Sequence, residues 1–381
     1  MSSVWDDERL ARAALTSVCE AASPPLCQQV AMRGAQEVWE ALRHGGGDGR
    51  WTRRARSLRV EELLEGAQRH DVRFIMPTDG EWPVQLDVLD QTTVAALGGA
   101  PLGLWLRGPG RLGPWAEQSV ALVGSRASSQ YGDHVATELA MDLGEPAPGG
   151  AGWTIISGGA YGIDGAAHRG AIAASGRTIA VLAGGLDEPY PRGNQVVFDR
   201  LASEHLLVSE VPCGIRPTRL AFLARNRLIA ALAVGTVVVE AAARSGAANT
   251  ANWAAECGRV LMAVPGPATS SLSVTPHRLV RDGRATLVTN SQDVLALVAP
   301  LALAPQLPVG GESRPLDRVP PELMAIREVL PARGSMPVSQ VARRAGVGMA
   351  VALASLAQLE QMRLAGQDEM GQWRVTMPAR T

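Results

Sequence analysis

Every basic residue other than histidine in this chain is an arginine: 36 basic residues and no lysine. A Schiff-base lysine, a P-loop lysine and a lysine general base are therefore excluded. Any phosphate must be held by guanidinium groups, peptide N–H groups or helix ends. Suitable corners follow one another along the sequence. Gly124-Ser125-Arg126 offers close backbone approach, a hydroxyl and a fork-shaped cation. Ser157-Gly158-Gly159-Ala160-Tyr161-Gly162-Ile163-Asp164 puts three glycines before a helix start, a backbone nest suited to an oxyanion. Gly184-Gly185-Leu186-Asp187 leads into Tyr190-Pro191-Arg192-Gly193-Asn194. Between Val211 and Val239 there is no acid, but there are Arg216, Arg219, Arg225 and Arg227. Arg225-Asn226-Arg227 falls in an otherwise apolar helix, where two cations are costly unless they meet external anions or buried carboxylates. Asp164 and Glu240 are the candidate carboxylates. Taken singly, each glycine corner could be only a sharp turn; as a set they point to anion binding. No G-x-G-x-x-G follows the first strand, which argues against a dinucleotide site.

The elements needed to position these corners can be read from the apolar pattern. Short apolar runs at Val120–Val123, Thr154–Ile156, Thr178–Leu182, Leu206–Val208, Thr236–Val239, Val260–Val264 and Thr286–Val288 predict strands. Helical stretches lie between them, around His134–Leu143, Asp164–Ala174, Gln195–Ala202, Leu220–Leu232 and Thr250–Cys257. Apolar strands separated by helices predict a doubly wound, mostly parallel α/β sheet covered on both faces. Ligands in such a sheet sit beyond the carboxyl ends of the strands.

Residues 1–75 read as a small helical domain, with helical spacing over Asp6–Ala21, Val30–Leu42 and Val60–His70. It carries a basic run, Arg50, Arg53, Arg54, Arg56 and Arg59, which is either a solvated surface or a nucleic-acid contact. The α/β core spans 76–299. Residues 300–321 hold six prolines and read as an interdomain linker. Over 322–381, helices at Glu322–Leu330, Val338–Ala345 and Met349–Met362 precede a turn and the strand Gln372–Thr376, the winged-helix pattern.

Composition narrows the function. The 36 basic and 37 acidic residues nearly cancel, so a nucleic-acid surface has to be local rather than a polybasic coat. Cys19, Cys27, Cys213 and Cys257 lie far apart with no C-x-x-C, and read as free thiols with no zinc site. The first residues lack a signal-peptide apolar region and the prolines of 294–311 spoil a membrane span, so the expected setting is the cytoplasm.

These blocks, in this order, resemble the DNA-processing protein A family (DprA, also called Smf) over about residues 115–295. The resemblance rests on Gly124-Ser125-Arg126, the Ser157–Asp164 loop with Ala167-His168, Tyr190-Pro191 with Asn194, and Ser209-Glu210. It continues through Arg225-Asn226-Arg227, Val239-Glu240-Ala241, Ser245-Gly246 and Pro265-Gly266. It implies an extended Rossmann-like core and a homodimer. It also implies a protein that binds and shields single-stranded DNA and loads RecA on it during natural transformation, with no cofactor and no catalysis. Arg126, Arg192, Arg219 and Arg259 match the family's DNA-binding basic residues, and Ser157–Gly162 its phosphate-cradling turn. Tyr161 stands where many relatives have lysine, exchanging a cation for a stacking face. Thr275-Pro276-His277 also departs from the family pattern; residues Ala254–Arg259 and His277–Val280 lie near the dimer interface by analogy. The expected DNA contacts are thus Gly124, Ser125, Arg126, Ser157, Gly158, Gly159, Tyr161, Gly162, Arg192, Arg219, Arg225, Asn226, Arg227 and Arg259, with the four matching cations in one track across the strand carboxyl ends.

Two other readings compete. A nucleotide-cleaving phosphoribohydrolase on the same fold would use Glu240, or Asp164 with His168 as an acid–base pair. A role centred on the winged helix would rest on Arg343 and Arg344, yet Val351–Leu356 offers nothing to read bases.

Overall fold

The computed structural model describes residues 5–45, 49–146, 151–300 and 319–376. The expected linker at 300–321 lies almost wholly outside them. The chain divides into two compact units, Met1–Gln306 and Leu307–Thr381.

In the first unit, nine strands form one sheet. Two strands open it, β1 (Val72–Ile75) and β4 (Leu104–Arg107), with the small hairpin β2 (Thr93–Val94) and β3 (Leu97–Gly98) between them in sequence. The parallel body consists of β5 (Ser119–Val123), β6 (Thr154–Ser157), β7 (Thr178–Leu182), β8 (Leu206–Ser209), β9 (Gly235–Val238), β10 (Val260–Ala263) and β11 (Thr286–Leu287). The spatial order is β1-β4-β8-β7-β6-β5-β9-β10-β11, with β1 and β4 antiparallel to their neighbours. All seven expected strands are present. Apolar residues fill both faces of the inner strands because helices cover both sides.

One face is covered by α10 (Arg219–Leu232) and α11 (Gly246–Glu256), whose Leu228, Ile229, Leu232, Ala251 and Trp253 pack with Ile156, Ile179 and Val238. The other is covered by α7 (Gln130–Gly144) and α8 (Ile163–Ala173), through Leu139, Leu143, Ile163 and Ala167 against Val120, Leu122 and Val237. The helix α9 (Gln195–Glu204) completes the layer near β7 and β8.

The N-terminal region has five helices, α1 (Asp7–Val18), α2 (Pro24–Arg33), α3 (Ala35–His44), α4 (Gly49–Ser57) and α5 (Val60–Arg69). It shares a core with the sheet: Ala13, Leu63 and Ala67 are buried with Phe74, Trp105 and Leu182, and Trp105 donates its indole N–H to Thr16 Oγ1. Most of the Arg50–Arg59 run is used at home. Arg54 donates to Glu20 and to the Val18 carbonyl, Arg50 lies 3.6 Å from Glu20, and Arg59 pairs with Glu62.

In the second unit, α14 (Pro321–Glu328), α15 (Val338–Ala345) and α16 (Met349–Gln361), which follow α6 (Leu112–Ala116), α12 (Val274–Arg281) and α13 (Ser291–Val298) in chain order, surround a small core with Trp373. A two-stranded hairpin, β12 (Ala365–Gln367) and β13 (Trp373–Val375), closes it. Cys27, Cys213 and Cys257 are free thiols. Among the described residues no helix is long and apolar enough to cross a membrane, and no group of His, Cys, Asp and Glu could hold a metal ion.

Candidate nucleic-acid interface

The chain order reverses beside β5: β6, β7 and β8 step away on one side, β9, β10 and β11 on the other. Loops leaving adjacent strands at such a point diverge and open a crevice at the carboxyl rim. Here the crevice is a cleft of about 760 Å³. Its walls are Gly124, Ser125 and Arg126 after β5, Arg244, Ser245 and Gly246 after β9, and Arg219, Phe222 and Arg225 from α10.

The Gly124–Arg126 turn is locked from behind. Ser125 N donates to the Glu240 carbonyl at 2.6 Å, and the Ser125 carbonyl accepts from Ile163 N. A Cβ at Gly124 would overlap Ile163, so only glycine lets β5 approach the start of α8 this closely. With the backbone held, Arg126 projects outward and lies over the Phe222 ring, its guanidinium carbon 4.8 Å from the centroid. Phe222 in turn meets Tyr190 edge-on at 5.9 Å. Tyr190 and Tyr161 are both about half exposed.

The Ser157–Gly162 turn is built differently from the sequence expectation. Ser157 is fully buried and donates its hydroxyl to the Leu122 carbonyl at 2.6 Å. Asn194 clamps the turn through the carbonyls of Gly159 and Ala160, at 3.0 and 2.9 Å. Gly159 and Gly162 have φ of +68° and +71°. The amides of Gly158 and Ala160 face the Asp164 carboxyl, so this nest is filled by a side chain of its own chain. Arg225 lies against Gly158 beside that carboxyl and donates to the Val181 carbonyl at 2.9 Å. Burial pushes the Asp164 carboxyl up against the opposing pull of Arg225, while burial lowers Arg225 to about 10, leaving it charged at neutral pH. Asp164 and Arg225 thus form the polar floor of the cleft.

Three helix starts carry the exposed cations. The first turns of α9, α10 and α11 contain no acid. Instead Arg192 precedes α9, Arg219 opens α10, and Arg244 precedes the Ser245 cap of α11. The N-terminus of a helix carries partial positive charge, which acids normally complement. Adding arginines there raises the local potential at a cost that a bound anion would offset. Arg219 and Arg244 have no ion pair among the described residues, and Arg192 only a loose one, 3.9 Å from Glu188 with both side chains exposed.

Residues 73–299 match the family described as DNA recombination-mediator protein A. The chain belongs to that family. It is 44% identical over 323 residues to a putative DNA processing protein DprA of Mycobacterium tuberculosis, covering 83% of this chain and 80% of the relative. It is also 43% identical over 177 residues to DNA processing protein DprA of Streptococcus pneumoniae, covering 46% of this chain and 60% of that one. The X-ray structure of the Streptococcus pneumoniae protein resembles the fold with a TM-score of 0.63 at 29% identity, covering 78% of this chain and 99% of the other. A DNA-processing role in recombination follows from this membership.

Within this member of the recombination-mediator family, the expected contacts divide. The cleft brings together Gly124, Ser125, Arg126, Arg219, Arg225 and Asn226, and Tyr190, Arg192 and Phe222 line an adjoining hollow. Asn226 donates to Asn249 and to the Gly246 carbonyl, tying α10 to the start of α11. Gly193 lies under the Tyr161 ring. Two arginines leave the set. Arg227 has no exposed surface; it faces the opposite side of α10, donates to both Glu210 carboxylate oxygens at 2.6 Å, and reaches the Gly99 carbonyl. The carboxylate it required is Glu210, neither Asp164 nor Glu240. Arg259 precedes β10, at the amino ends of the parallel strands, and donates to the Gln85 and Ala231 carbonyls. It therefore sits at the rim opposite Arg126, and the expected four-arginine track is broken at that residue. Sequence reasoning missed Arg244, although its place just after a strand and just before a Ser-Gly helix cap has the same logic as Arg126.

Proposed function

We propose that the carboxyl rim binds single-stranded DNA without altering it, holding phosphates on Arg126, Arg192, Arg219 and Arg244 and bases against Phe222, Tyr190 and Tyr161. The observation that carries this reading is the gathering of arginines at acid-free helix starts around the strand-order reversal. Phosphates need such cations, and exposed aromatic faces accept any unpaired base. Side chains suited to reading base edges are few at the rim, which supports weak sequence preference. Competition between oligo-dT and a duplex of equal length at two salt concentrations tests it: oligo-dT is expected to win at both, and a duplex preference would refute the reading.

Binding rather than catalysis is supported by what the candidate acid–base groups do. Glu240 is buried and accepts from the Ser129 amide and hydroxyl, so it caps α7. His168 is fully buried and joined to Thr178 at 2.8 Å, and burial lowers its pKa to about 3. Neither faces the cleft. The delivery of the strand to RecA and a homodimer using residues near Ala254–Arg259 and His277–Val280 rest on the family resemblance, while a winged-helix role for the second unit and a cytoplasmic setting rest on the sequence pattern. Co-sedimentation with RecA and light scattering are the direct checks.

A further inference from the structure

The cleft at the strand reversal does not end at its own walls. Phe222 borders both it and a second hollow of about 640 Å³ lined by Tyr190, Arg192, Arg216 and Pro217. Ile215 and Arg216 in turn border both that hollow and a third of about 610 Å³. The third is a groove between the N-terminal helices and the core. Leu58 and Leu63 form one wall, Val211, Pro212 and Leu220 the other, and Arg54, Arg59 and Arg216 supply its cations. All three lie within one compact unit, and the lining residues they share make them successive neighbours along its surface.

We infer that this groove is the continuation of the single-strand path, taking the nucleotides that run past Arg192 with bases against its aliphatic walls and phosphates on Arg216 and Arg59. The inference rests on the rim reading above and extends it to the N-terminal helices. Charge favours a polyanion over an apolar peptide. Arg216 is exposed and has no ion pair among the described residues. Arg59 holds Glu62 only at the surface, with side chains 73% and 68% exposed, a pairing a phosphate can displace at little cost. The remaining acid, Glu20, is already occupied by Trp51 and Arg54. Between these cations Ile215 and Leu220 are exposed, as expected of a surface that receives flat, weakly polar bases.

The test compares oligo-dT too short to leave the Arg126 cleft with oligo-dT of longer lengths, across the roughly 4–16 nucleotides common for one single-strand site. The full chain is compared with the double variant Arg59→Ala, Arg216→Ala, both surface changes. The variant is expected to bind the short oligonucleotide as the parent does, but to lose roughly 0.7 per cation from the salt slope of the long one. A long oligonucleotide with 5-iodouracil at successive positions is expected to cross-link to the 211–221 and 58–63 segments. Equal slopes for parent and variant at every length, or cross-links confined to the rim, would overturn the extension while leaving the rim reading intact. Failure of all oligo-dT binding by the parent would remove both.

Discussion

Two arginines two positions apart on α10 are both buried yet have unrelated fates, because they face opposite sides of the helix. Arg227 is sealed in a bidentate pair with Glu210. Removing one partner of such a buried pair leaves the other charge unpaired, at a cost of about 3–5 kcal/mol. Arg227→Ala and Glu210→Ala should therefore each lower stability by that order in urea unfolding, and a loss below about 1 kcal/mol would contradict the burial argument. Arg225 instead floors the cleft, so its charge is felt there without its side chain being exposed. The exposed cations predict a contrast. Arg244→Ala should reduce the salt slope of oligo-dT binding by roughly 0.7, whereas Arg259→Ala, at the other rim, should leave the slope unchanged. Composition and local spacing could locate these arginines but not their facing: that depends on which side of α10 meets the sheet, and on Glu210, which arrives from another strand end.

At the scale of elements, the inner parallel strands β5–β10 were legible because a strand buried on both faces has no choice but to be apolar. The antiparallel strands β1 and β4 were not, since each carries an arginine: Arg73, paired with Glu81, and Arg107. The helix α4 was hidden for a related reason, because its arginines read as a solvated run while Trp51 and Ala55 provide its buried side. The nest at Ser157–Gly162 was misread in kind. Its glycines do make an anion-binding turn, but helix α8 brings its own carboxylate, Asp164, back into it. Helix α8 also buries His168, whose pKa falls from 6.5 to about 3. A depressed histidine pKa means the unfolded chain takes up a proton that the folded chain refuses below about pH 6.5. This contribution to stability is complete above pH 6.5 and declines as pH falls toward 3, by at most about 1.4 kcal/mol per unit. A His168→Gln variant should show a shallower acid-side decline than the parent between pH 6 and pH 4, as followed by urea unfolding at each pH; parallel curves would contradict the assignment.

For the molecule as a whole, strand order decides where function can sit. Seven parallel strands place their carboxyl ends on one rim, and the reversal at β5 opens it, so cations scattered from Arg126 to Arg244 along the chain become neighbours. That rim and the N-terminal helices lie within Met1–Gln306. A chain ending after Gln306 should therefore retain oligo-dT binding within about twofold of the full chain, and loss of binding would assign the grip to the second unit.

The most direct measurement is the salt dependence of oligo-dT affinity for the parent and for the triple variant Arg126→Ala, Arg219→Ala, Arg244→Ala, with circular dichroism confirming that both are folded. The slope of log K against log salt should fall by roughly 2 in the variant, about 0.7 for each lost phosphate contact. A folded variant with the parent's slope would show that the strand is held elsewhere.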